Sequence, residues 1–147
     1  MRPVYESDED RDRQKAVLDR LVEKTGLYGY ELMPRLYPAD ALGFKHGRPH
    51  SWLEVKCRPH DYGIYDTYML SALKVISLKQ LEEVTNVKAW LVVQWSDCTG
   101  VLPISDFWSS KATLAMGGRS DRGDEMDREP CKFVPISGFA IIDRISD

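Results

Sequence analysis

Along the first part of the chain the apolar residues recur at helical spacing. Ser7 stands where an N-cap is needed, Asp10 follows three positions later in a capping-box position, and Ala16, Val17, Leu18, Leu21 and Val22 then supply one apolar face. Gly26 is the natural stop for this first helix. The spacing then changes. Tyr28 to Tyr37 alternates loosely and is rich in aromatics, which predicts a strand ending at Pro38, and Ala39 to Pro49 predicts a short strand and turn. Ser51 to Arg58 alternates with period two. Leu53, Val55 and Cys57 fall on one face and Trp52, Glu54, Lys56 and Arg58 on the other, so one face is expected to be core and the other chemistry.

Apolar residues at Leu70, Leu73, Val75, Ile76, Leu78, Leu81 and Val84 predict a second helix over Tyr68 to Val84, closed by Asn86. Lys88 to Trp95 predicts a buried strand with Thr99 to Ile104 as its hairpin partner. Gly117 to Pro130 is charged and turn-rich, hence a loop, and Lys132 to Ile145 returns to strand-like text. The order of helix, three strands, helix and further strands indicates an α/β sandwich whose first three strands form a meander.

Composition narrows the class. A chain of 147 residues with 43% hydrophobic and 29% charged content suits one domain spanning 1-147 with a real core. The net charge of -3 argues against a protein that coats nucleic acid by bulk electrostatics, so any such contact must come from a few placed cations and metal ions. Cys57, Cys98 and Cys131 are widely spaced and form no C-x-x-C pair, which points to a reducing cytosol. The acidic start lacks the core of a signal peptide, and the apolar run around Ala89 to Trp95 is too short for a bilayer, so no membrane partner is expected.

The chemistry concentrates in one strand. Glu54 and Lys56 are two apart, so their side chains project from the same face, with Asp40 available from the preceding strand or turn. Two carboxylates are hard ligands for Mg²⁺ or Mn²⁺, and a nearby ammonium can orient a nucleophile and offset their repulsion. The plainer alternative is an exposed strand carrying an ion pair of little worth.

At these residues, Pro38-Ala39-Asp40 followed by Leu53-Glu54-Val55-Lys56-Cys57-Arg58, the sequence resembles the PD-(D/E)XK (restriction-endonuclease-like) nuclease superfamily. It is most like the Holliday-junction-resolvase-like and phage nuclease-like members. Ala39 between the proline and the aspartate is a departure from the pattern. The resemblance implies an αβββαβ core over about residues 7 to 95, a central mixed sheet flanked by helices, and extra strands over 96 to 147. It implies a Mg²⁺-dependent hydrolase that cleaves DNA, with RNA not excluded, in the cytoplasm of a bacterial or phage-infected cell. Asp40, Glu54 and Lys56 would be catalytic, and the metal would be held by Asp40, Glu54 and the Val55 carbonyl, joined by Asp10 or Glu9 from the first helix. Gln14 and Gln80 are the expected supporting residues.

Further contacts follow from chemistry alone. Arg58, Arg119 and Arg122 are candidates for phosphate or nucleic-acid binding, because arginine forks match phosphate oxygens. Tyr62 and Tyr65 lie in a loop after the site, where a ring can stack on an unpaired base. A domain this small surrounds little of a duplex, so a homodimer or a larger nucleoprotein complex is expected, with the apolar C-terminal strands as the interface. Two rival readings remain: a catalytically inactive nucleic-acid-binding or assembly module of the same fold, and an unrelated α/β protein in which the three residues are surface charges.

Overall fold

The computed structural model describes residues 7–118 and 128–145. The first helix, α1 (Asp8–Lys24), opens on a reciprocal cap: the Ser7 N–H donates to Asp10 Oδ2 (3.0 Å) and the Asp10 N–H donates to Ser7 Oγ (3.2 Å). Val17, Leu18 and Leu21 are buried as the spacing predicts, whereas Ala16 is exposed and Val22 only half-buried, which narrows the apolar stripe. The helix stops one residue ahead of Gly26, because the Thr25 N–H and hydroxyl both take the Leu21 carbonyl (3.0 and 2.8 Å).

Three antiparallel strands follow as the expected meander: β1 (Gly29–Leu32), β2 (Ala41–Lys45) and β3 (Arg48–Cys57). β1 is shorter than the sequence suggests, since Pro34 and Pro38 lie in the stretch that follows and a proline has no N–H for a ladder. β3 is longer. His46 and Gly47 both adopt left-handed backbone (φ 54° and 71°), which makes the tight turn of a two-residue hairpin and brings Arg48 and Pro49 into the strand. A bulge between Gly43 and Phe44 accommodates Pro49 in the ladder.

The predicted helix over Tyr68 to Val84 is two elements. Thr67–Ser71 is a strand, β4, with Tyr68 and Leu70 buried at period two, and α2 (Ala72–Thr85) begins where it ends. Asn86, left-handed at φ 55°, caps α2 as expected. β5 (Lys88–Gln94) then lies parallel to β3, and β6 (Cys98–Pro103) forms its hairpin partner. A 3-10 turn (Ile104–Trp108) leads to β7 (Thr113–Gly118), which the sequence pattern did not reveal, then β8 (Arg128–Pro135) and β9 (Ala140–Arg144). The larger sheet runs β1-β2-β3-β5-β6-β9 and the smaller one β4-β8-β7.

Helices cover both faces of the larger sheet. On one face α1 packs Val17, Leu18 and Leu21 against Ala41, Leu53, Val55 and Val92. On the other, Val75 and Leu78 of α2 meet Trp52, Leu91 and Val93, together with Tyr68 and Val134 from the smaller sheet. β3 is therefore covered on both sides. Trp52, expected on an open face, is only 6% exposed and donates its indole N–H to Thr85 Oγ1 (3.0 Å). The end of this face, at Glu54, Lys56 and Arg58, borders a cleft. Among the described residues, no helix is long and apolar enough to cross a membrane.

Leu91 is fully buried in the strand at the centre of the larger sheet. Leu91→Ala is expected to lower the unfolding free energy by about 2–5 kcal/mol. Leu114→Ala, at a side chain 62% exposed, is expected to change it by under ~0.5 kcal/mol. Urea titration of both variants compares them directly.

Candidate active site

Glu54 occupies the covered middle of β3 and is 2% exposed. A carboxylate so placed needs compensation, since an unpaired buried charge costs several kcal/mol. Two lysines supply part of it: Lys56 Nζ lies 3.4 Å from Oε2, and Lys74 Nζ lies 3.5 Å from Oε1. Both lysine side chains are partly exposed, at 34% and 30%. Glu54 Oε1 is nonetheless buried without a hydrogen-bond partner.

Asp40 is fixed beside this group by the strand itself. Its N–H donates to the Leu53 carbonyl (3.0 Å), and its Oδ2 accepts the Val55 N–H (2.7 Å). Burial, and next the Glu54 charge, push the Asp40 carboxyl up to about 7, against the Val55 N–H and the two lysines. Lys74 also donates to the Pro38 carbonyl (3.0 Å), so one ammonium ties the turn that carries Asp40 to the second helix.

These groups form the floor of a cleft of about 470 Å³. Asp10, Arg13 and Gln14 enter from α1, and Arg35, Tyr37 and Arg58 complete its lining, which Val55 and Cys57 share. Asp10 reaches the cleft with both oxygens engaged, Oδ2 by the Ser7 N–H and Oδ1 by Arg13. The Ser7 N–H, first of several causes, holds its carboxyl below the ordinary value. Gln14 Oε1 is buried in the same region without a hydrogen-bond partner.

The other expected site residues fall elsewhere. Glu9 is exposed and lines no part of the cleft, because one residue's step around α1 carries it off the face that Asp10 and Gln14 share. Gln80 is exposed too; the second-helix residue that reaches the site is Lys74, one and a half turns earlier. Neighbouring Lys79 instead lies over the Trp108 ring at 5.3 Å. Arg119 and Arg122 lie outside the described residues. Lys74 carried a signal of its own, for a lysine in the first turn of a helix opposes the helix dipole and has to be compensated elsewhere.

The donors present suit a hard divalent cation. Two carboxylates, the Gln14 amide oxygen and the Val55 carbonyl are all oxygen donors, and Glu54 and Gln14 each hold a buried oxygen that accepts no hydrogen bond. Among the described residues there is no group of three or more His, Cys, Asp or Glu side chains that could hold a metal.

The solved structure of Hjc, a Holliday junction resolvase from the archaeal hyperthermophile Archaeoglobus fulgidus, has a similar fold. The TM-score is 0.57 at 16% sequence identity, over 88% of each chain. No protein of curated function matches this chain in sequence. The family described as "Phage putative PDDEXK endonuclease" matches residues 1–142, a span that takes in both helices, the Asp40 turn and the Glu54-Val55-Lys56 strand. On that near-complete match the chain belongs to this PD-(D/E)XK endonuclease family of phages.

Proposed function

We propose that the protein is a metal-dependent nuclease that hydrolyses phosphodiester bonds of DNA at the Asp40–Glu54–Lys56 cleft. The observation that carries this reading is Glu54: a buried carboxylate with one oxygen that accepts no hydrogen bond, next to a second carboxyl raised to about 7. Two adjacent carboxyl groups whose oxygens are incompletely hydrogen-bonded are hard donors that suit a divalent cation. Asp40 and Glu54, with the Val55 carbonyl, would hold Mg²⁺ or Mn²⁺. The ion, when bound, polarises the phosphate and makes water acidic enough to attack at neutral pH.

The chain's own residues do the rest. Lys56 places an ammonium at the open end of β3, where it orients the attacking water and offsets charge that grows on the phosphate oxygens. Water adds to phosphorus and the ester P–O bond breaks. Lys74 holds the Asp40 turn and Glu54 in register. The cleft is also locally basic in an acidic protein, since Arg13, Arg35, Lys56, Arg58 and Lys74 outnumber Asp10, Asp40 and Glu54. A phosphate backbone is drawn to that imbalance, and the family name and the resolvase fold point to DNA as its source. Such an enzyme would act in the cytosol of the infected cell. A second copy would widen the grip, with Leu114 and Met116 on β7, 62% and 59% exposed, as the apolar edge of its interface. Sedimentation as a monomer at high concentration would remove that assembly.

With Mg²⁺ or Mn²⁺ the wild type is expected to cut labelled DNA, tested as single strand, duplex and four-way junction, and Glu54→Ala or Lys56→Ala to slow cutting by at least about 100-fold. DNA binding without cutting by the wild type would instead identify an inactive binding module of the same fold.

Metal-free stability should report Asp40. Its carboxyl rises from 3.8 to about 7 in the fold, so the stability gained from its protonation is full below about 4 and is lost as pH climbs through about 7. In EDTA, the melting temperature of wild type relative to Asp40→Asn is expected to fall across that window. Mg²⁺ at pH 8 should raise the wild-type value and leave Asp40→Asn unmoved; equal responses would remove Asp40 from the metal site.

A further inference from the structure

A second cleft, of about 340 Å³, opens beside the first and shares Arg58 with it. Its other walls include His60, Tyr65, Tyr68, Trp95 and Phe133, so it is aromatic where the first is charged. The loop that builds it curls through Gly63, whose φ of 89° is left-handed and favours glycine. Arg58 lies over the Tyr68 ring at 5.3 Å, with its Nη1 donating to the Cys57 carbonyl (3.2 Å). Tyr65 is 63% exposed and meets His60 edge to face at 5.0 Å.

Resting on the nuclease reading, we propose that this second cleft takes one unpaired nucleobase from the DNA strand whose backbone lies in the catalytic cleft. Four observations converge on that occupant. The volume is at the low end for ligand sites, which suits a single planar heterocycle. The walls are aromatic faces with one guanidinium, the composition on which bases stack in single-strand binding proteins. Tyr68 is 5% exposed and lines the cleft, yet its buried hydroxyl has no hydrogen-bond partner, and a base edge offers one. Finally, the two clefts adjoin at Arg58, which lines both: it directly follows β3 and stands four residues from Glu54, about 13 Å of extended chain, a distance one strand of DNA spans within a few nucleotides.

The neighbouring tyrosine is already committed. Tyr62 donates its hydroxyl to the Ile136 carbonyl (3.0 Å) and packs edge-on against Trp95 at 5.1 Å. Tyr65 is the ring left at the mouth, so it is the one that closes over a bound base. A base held here has left its stack, which costs least at a branch, gap or single-stranded end. The cleft therefore selects DNA with unpaired nucleotides near the cut.

The test uses metal-free protein and a short single strand carrying one 2-aminopurine, read by fluorescence and by binding. Wild type is expected to quench the 2-aminopurine, with Tyr65→Ala binding about tenfold more weakly and Tyr65→Phe close to wild type. An abasic nucleotide at the same place should erase the difference between wild type and Tyr65→Ala. Equal binding by wild type and Tyr65→Ala, or an unchanged difference on the abasic strand, overturns the proposal. The readout needs no cleavage, so the two readings fail separately. Metal-dependent cutting without any Tyr65 dependence of binding would sink the base site alone, and Tyr65-dependent quenching without cutting would sink the nuclease alone.

Discussion

A negative charge buried at the middle of a central strand has to be answered, and the surroundings of Glu54 are that answer. Lys56 comes from the same strand, Lys74 from the helix that crosses over the sheet, and Asp40 from the turn before the adjacent strand, pinned by the Val55 N–H. Each partner fixes one element against β3: the meander through Asp40, and α2 through Lys74. The hydrogen bonding is incomplete at Oε1 of Glu54, and the carboxyl of Asp40 is raised. A purely structural ion pair gains nothing from that residue of strain. A site of the proposed kind, completed by a cation and a phosphate, would.

The meander, the β5–β6 hairpin and the Asp40, Glu54, Lys56 grouping were legible because each rests on local pattern: alternation, a turn, a spacing of two. What escaped was set by distant pairing. Tyr68 and Leu70 fit a helical stripe as readily as a strand, and only β8, some sixty residues on, makes them a strand. Losing that boundary displaced the start of α2, so Lys74, which lines the cleft, was passed over while Gln80, which is exposed, was named. Trp52 misled for a related reason. Alternation shows that two faces differ, and it cannot show that α2 and the smaller sheet cover the second one as well.

Charge tells the same story at another scale. A chain of net charge -3 is a poor general ligand for DNA, yet of the eight acidic and basic side chains around the candidate cleft five are cationic. The excess acid lies outward, in places such as the exposed first turn of α1, where it favours the helix dipole. Concentrating cations in one groove of an acidic body gives attraction at one place and repulsion elsewhere. Specific docking gains over indiscriminate coating.

β4 runs into α2 without a linker, and its ladder partner is β8. The meander holding Asp40, Glu54 and Lys56 is local in sequence and can pair as soon as it leaves the ribosome. Strand β4 cannot, because residues 128–135 do not yet exist. Until they do, the start of α2 is held against the sheet only by Val75 and Leu78 on β3 and β5 and by Lys74 on Pro38 and Glu54. The pairing of β4 with β8 is the contact of longest sequence separation that bears on Lys74, so the last strands to be made complete the support of the cleft.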